Sequence, residues 1–182
     1  MKHMILLLAI TAFFSQNLKS QNYLTKTGTI SFFSAAPLEN IEAVNKQVTA
    51  MLNPSTGEVA FKVLIKSFVF EKALMQEHFN ENYMESDKYP DSRFSGKVTD
   101  FKKIDLKKDG VYPVVAEGDL TIHGVTKKIS APGTIEVKEG KLHIKSKFNV
   151  AVADYNITIP KAVANNIAKN IDITVDCVLN QN

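Results

Sequence analysis

The sequence predicts a mainly β domain, an antiparallel meander of about eight strands closed into a barrel. Three observations carry that expectation. Apolar and polar residues alternate with a period of two over most of the chain, the pattern of strands buried on one face. The alternating runs are joined by short turns rich in Gly, Asn and charge, as hairpins are. Lysines stud the polar face, so the apolar face is the one that must be hidden. A sandwich of two stacked sheets also hides one face; long consecutive strands joined by hairpins favour closure.

The elements follow in order. Met1-Lys2-His3-Met4 leads into an apolar run from Ile5 to Phe14. A basic start and an apolar stretch too short to span a bilayer as a helix read as a secretory signal peptide. Residues 1–20 are expected to be removed by a cut near Ser20-Gln21, and no cysteine follows the run to anchor a lipoprotein. Residues 21–182 suffice for one domain with a real core and are too few for two. Losing Lys2 and Lys19 lowers the formal charge from +3 to about +1, which offers no electrostatic case for nucleic acid. Cys177 is the single cysteine. With no partner for a disulfide, stability must come from burial, and its register makes Cys177 a small core hydrophobe.

The first strand is expected over Tyr23–Ser34. Val44, Val48, Ala50 and Leu52 then share a parity opposite Asn45, Gln47 and Thr49, and Asn53-Pro54-Ser55-Thr56-Gly57 is a turn by composition. Val59, Phe61, Val63 and Ile65 form one face of the next strand. Between Phe68 and Lys88 the spacing turns helical: Phe70, Leu74, Met75, Phe79 and Tyr83 make a stripe. Pro90 ends it by pushing Tyr89 out of the α region. Strand spacing resumes with Phe94 and Val98, then Tyr112 through Leu120 and Ile122, Val125 through Ile129 to Val137, Leu142 through Phe148 to Val152, and Ile171 through Ile173, Val175 and Cys177 to Leu179. A short helix is expected over about 160–168, with Pro160 in its first turn.

Charge decides which way the barrel faces. Lys62, Lys66, Lys97, Lys141, Lys145 and Lys147 share the polar face with Glu58, Glu117 and Asp119. An eight-stranded barrel has room inside only for its own side chains or one small ligand. Stranding those cations there would cost several kcal/mol each. The lysines must therefore meet water and the apolar residues the barrel axis, the reverse of an outer-membrane barrel.

The hairpin Gly118-Asp119-Leu120-Thr121-Ile122-His123-Gly124-Val125-Thr126-Lys127 resembles the "G-D-L-T-I-x-G-V-T-K" signature of the YceI-like family, periplasmic polyisoprenoid-binding proteins. Lys88-Tyr89-Pro90 followed by Phe94 is similar to the family's "K-Y-P-x-x-x-F" segment, with Gly96 behind it. Phe148-Asn149-Val150 and the run Asp154-Tyr155-Asn156-Ile157-Thr158-Ile159-Pro160 resemble its C-terminal part. The likeness covers nearly all of the mature chain. A Gly-Arg segment of other members is missing, so no contact made by that Arg carries over. The resemblance implies a lipocalin-like barrel exported to the periplasm, with a long isoprenoid or quinone-like amphiphile in its lumen.

Candidate lumen residues are Phe61, Val63, Ile65, Phe94, Val98, Leu120, Ile122, Ile129, Phe148, Val150, Ile173 and Val175. The helical stripe of Phe70, Leu74, Met75 and Phe79 is expected to border the mouth. Core filling is the plainer role for each of them in a small barrel. No catalytic or metal motif stands out. His78 in Gln76-Glu77-His78 lacks a second His one turn on; His123 falls in a turn and His143 on a polar face, both read as surface residues. The expected function is non-enzymatic binding, transport or storage of an apolar lipid. The alternatives are a packed scaffold or stress-response module without a ligand, and a hydrolase or isomerase working at the mouth. Whether two copies pair is left open.

Overall fold

The computed structural model describes residues 21–182; the signal-peptide expectation concerns residues 1–20 and lies outside them. The long strands are β1 (Tyr23–Ala35), β2 (Asn40–Leu52), β3 (Glu58–Leu64), β5 (Asp91–Val98), β6 (Gly110–Ile122), β7 (Val125–Lys138), β8 (Lys141–Ala151) and β9 (Asn170–Gln181). They pair antiparallel in the order β1-β9-β8-β7-β6-β5-β3-β2, and β1 pairs back onto β2, closing an eight-stranded barrel. A two-residue strand, β4 (Val69–Phe70), hooks onto β2 at Ala43 and Val44. Closure leaves the long strands no free edge on which another chain could pair. The hairpin of the family signature is present, with Ile122 opposite Val125 and Gly118 opposite Ile129. Its turn needs φ > 0 at His123 (49°) and Gly124 (73°), and the Tyr89 ring lies so close over Gly124 that a Cβ there would collide with it.

The alternation runs as expected, apolar in and charged out. Lys62, Lys66, Lys97, Lys141, Lys145 and Lys147 are exposed, as are Glu58, Glu117 and Asp119. One strand pair departs from strict alternation. Between Thr25 and Gly28 β1 carries an extra residue relative to β2, and between Gly28 and Ile30 β2 carries one relative to β1. These two bulges flip the parity of each strand once. Val44, expected to share a face with Val48, is therefore not among the buried residues, and Asn45 turns inward and is fully buried. The burial is tolerable because both ends of the amide are used. Its Nδ2 donates to the Leu64 carbonyl at 2.8 Å, and its Oδ1 accepts from the Gln47 N–H at 2.8 Å.

The helical segment is shorter than its stripe suggests. Ile65–Ser67 form a 3-10 turn, Val69–Phe70 are strand, and the helix α1 begins at Ala73, runs to His78 and ends in a π turn over Phe79–Tyr83. The edge of β2 captures Val69 and Phe70, and Lys72 is extended (φ −108°, ψ 125°), so the helix starts only after it. In place of a helix over 160–168 there is one 3-10 turn, Lys161–Val163. Backbone groups beyond it are drawn elsewhere: Asn165 O accepts from Leu38 N–H at 3.0 Å, and Ala168 N–H donates to Ser34 Oγ at 2.9 Å.

Strand directions define two ends. The hairpin end, where β2 meets β3, β6 begins, and β7 turns into β8, is closed. Val48, Ala50, Leu52, Leu142, Cys177 and Leu179 have no exposed surface there, and Phe101 sits beneath the β2–β3 turn. Burial pushes the Cys177 thiol up to about 11, which keeps it protonated and inert. The opposite end carries α1 with its π turn on one side and the 152–169 segment on the other.

Candidate functional site

Above the packed end the barrel is hollow. A cavity of about 410 Å³ opens at the α1 end. Its wall is built by the inward parity of all eight long strands: Ile30 and Phe32 from β1, Ile41 from β2, Phe61 and Val63 from β3, Phe94 and Val98 from β5, Leu120 and Ile122 from β6, Ile129 from β7, Phe148 and Val150 from β8, Ile173 and Val175 from β9. Ile65, Phe70 and Met75 also line it. Of the candidates named from sequence, only Leu74 does not. Leu74 is 61% exposed, while Met75, His78, Phe79 and Tyr83 face the cavity. The expected pairing of Phe70 with Leu74 assumed one continuous helix; a strand-to-helix break at Lys72 voids that phase. Small residues preserve the hollow. Ala116 and Ala131 line it, and at Gly133 a Cβ would collide with the Lys145 carbonyl oxygen of β8.

Several wall residues lie outside the set named from the sequence. Phe32 of β1 and Phe68 join Phe70 and Phe79 in an aromatic cluster beside the mouth. Phe32 stacks on Phe79 at 5.4 Å between ring centroids, Phe68 meets Phe32 at 5.4 Å, and Phe70 meets Phe79 at 5.0 Å. Such pairs each add about 0.5–1.5 kcal/mol beyond area burial. Inward parity of Gly28, Ile30, Phe32 and Ser34 was the available signal. Ile157, Ile159, Val163 and Ile167 complete the rim from the other side.

Two of the charged side chains that line the cavity, Glu39 and Arg93, are paired. Lys72 donates to Glu39 at 2.9 Å, and Asn166 reaches the other carboxylate oxygen at 3.5 Å. The Lys72 ammonium holds the Glu39 carboxyl below its usual range, and the contact ties α1, the β1–β2 turn and the 152–169 segment together. Arg93 donates two hydrogen bonds to Asp91, at 2.6 and 3.0 Å, and Lys62 approaches the same carboxylate at 3.4 Å. With the Arg93 bonds the main cause, the Asp91 carboxyl is held low.

His123, expected at the surface, has a side chain only 10% exposed. Its Nε2 lies 2.7 Å from Glu85 Oε2, its Nδ1 3.2 Å from the Tyr155 carbonyl oxygen, and the Tyr89 ring packs edge-on at 4.5 Å. Both oxygens are acceptors, so the two bonds are complete when both ring nitrogens carry hydrogen. This clasp joins the segment after α1 to the β6–β7 turn and to the turn at Tyr155. His143, by contrast, stays on the outer face, 2.6 Å from Asp176 and 3.6 Å from Glu136. Among the described residues no group of three or more His, Cys, Asp or Glu side chains is placed to hold a metal ion.

These features define a class: closed antiparallel barrels that are solid at one end and hold an apolar cavity open at the other. Within it, the chain belongs to the YceI-like family, whose YceI-like domain model matches residues 19–179. Solved structures agree on the fold. A polyisoprenoid binding domain from Saccharophagus degradans, implicated in plant cell wall breakdown, superposes with a TM-score of 0.75 at 13% identity, over 90% of this chain and 100% of that one. Burkholderia cenocepacia BcnA gives 0.69 at 15% identity, over 83% and 95%. A Campylobacter jejuni YCEI protein gives 0.56 at 18% identity, over 76% and 83%. No curated protein matches the chain. Among the described residues no helix is long and apolar enough to cross a membrane.

Proposed function

We propose that this protein is a non-enzymatic carrier or store for an apolar isoprenoid or similar amphiphilic lipid, exported to the periplasm by its N-terminal signal segment. The cavity is the observation that carries the reading. At about 410 Å³ it falls within the range of small-molecule sites, about 300–1,000 Å³, and its wall is almost entirely hydrocarbon. Each methylene moved from water into it is worth about 0.8 kcal/mol. A prenyl or alkyl tail therefore binds without head-group recognition, up to the ceiling on affinity per atom. Phe61, Val63, Ile65, Phe70, Met75, Phe94, Val98, Leu120, Ile122, Ile129, Phe148, Val150, Ile173 and Val175 are the proposed contacts; Leu74 points to solvent and is not one of them.

Two other readings fit less well. A ligand-free scaffold has no use for a hollow of this size, because unfilled space forfeits packing energy. Catalysis at the mouth requires convergent polar groups; Glu39 and Arg93 are engaged with Lys72 and Asp91, and His78 and Tyr83 stand in a largely apolar lining with no hydrogen-bonded partner among the described residues to form a catalytic pair. The test is organic extraction of protein purified from its native envelope, followed by mass spectrometry. A stoichiometric apolar lipid is the expected result. Protein that is empty on isolation and takes up no prenyl or alkyl probe would overturn the proposal.

A further inference from the structure

The floor of the cavity sets a length limit on what it can hold. We infer that the barrel accommodates a single extended tail of only about sixteen carbons, with the remainder of any longer chain left outside the mouth. This inference rests on the lipid-binding reading above and narrows its ligand class.

The rungs of the barrel mark where the lumen ends. On β8, Ile144, Ser146, Phe148 and Val150 line the cavity, whereas Leu142, the next inward residue, does not. On β9, Ile171, Ile173 and Val175 line it, and Cys177 and Leu179 do not; on β7 the lining stops at Ile135, before Val137. The residues just past these limits are 0–2% exposed and interlock with Val48, Ala50 and Leu52 in one core. No lumen continues through them. The lining runs from Val114 to Ile122 on β6 and from Ile144 to Val152 at the end of β8, about 27 Å along the strand, and a strand tilt near 40° reduces that to about 21 Å of depth. An all-staggered hydrocarbon chain advances about 1.3 Å per carbon, so that depth takes about sixteen carbons. Beyond that length an added methylene stays in water and gains nothing.

The experiment measures affinity of the full mature protein for uncharged alkyl glycol ethers, with tails rising from about 8 to about 20 carbons, by calorimetry. Uncharged heads suit the probe because Lys72 and Arg93 at the rim are already paired with Glu39 and Asp91. Affinity should rise about fourfold per methylene and then level off near sixteen carbons. Ala116→Phe fills the cavity just above the floor, beside Val98 and Ala131, and should move the break to shorter tails. Affinity that climbs without a break to the longest tail would overturn the limit while leaving lipid binding intact. So would a break that stays put in Ala116→Phe. Failure of every tail to bind would instead remove the reading beneath it.

Discussion

Leu52, Leu142 and Leu179, at the hairpin end of the barrel, have no exposed surface. A few residues further along the same sheet, Phe61, Phe148 and Ile173 border empty space. Both sets obey one alternation and point to one axis, so composition does not separate them. What differs is what fills the axis. At the hairpin end, side chains from opposite walls meet, and Phe101 closes the bottom. Toward α1, Ala116, Ala131 and Gly133 stand among the wall residues, and the apolar surface there is left without a protein partner. The first end stabilises the fold; the second leaves hydrophobic surface uncovered, which the proposed lipid would bury.

That division can be broken or sharpened experimentally, beginning with thiol access. Cys177 in the floor should resist alkylation by about a hundredfold from ionisation alone, since its thiol is pushed to about 11. A cysteine placed at exposed Leu74 should react freely. Equal rates of thiol labelling would mean that the floor opens. Next in size, Leu142→Ala should destabilise the fold by about 2–5 kcal/mol through a new cavity, read from urea unfolding. Phe148→Ala should cost less, about 1–2 kcal/mol, because one side of that ring already lacks neighbours. It should nonetheless weaken lipid binding more than Leu142→Ala does.

Smaller effects belong to the rim. His123→Gln and Glu85→Gln should each loosen the clasp by about 1–2 kcal/mol, seen as faster amide exchange confined to residues 79–89 with global stability nearly unchanged. At Asp91 the native carboxyl is held below its ordinary 3.8 by Arg93 and Lys62. Its contribution is therefore present above the unfolded value and lost as pH falls through the native one. Asp91→Asn should remove that acid dependence at a cost of at most about 1 kcal/mol; an unchanged stability–pH profile would show that the ion pair contributes nothing.

Most of the architecture was legible in the sequence because period-two alternation and hairpin turns are local signals, and the lysine face fixed the direction of burial. The wall was legible for the same reason. What escaped depends on non-local events. The two bulges between β1 and β2 exchange the roles of Val44 and Asn45, and neither strand announces its extra residue. The phase of α1 depends on Val69 and Phe70 being captured by β2, which displaces Leu74 to the surface. His123 is buried because Glu85, Tyr89 and Tyr155 converge on it from elsewhere in the chain. Above all, the alternation that marks a wall residue does not tell whether its partner across the axis is a leucine or a void.

The most direct measurement is a crystal structure of the protein bound to the lipid extracted with it. The account predicts a hydrocarbon tail between Phe61, Phe94, Phe148 and Ile173, ending above an unmoved floor of Leu52, Leu142 and Leu179. A lipid bound on the outer face, or a barrel whose upper half has collapsed onto its own side chains, would contradict it.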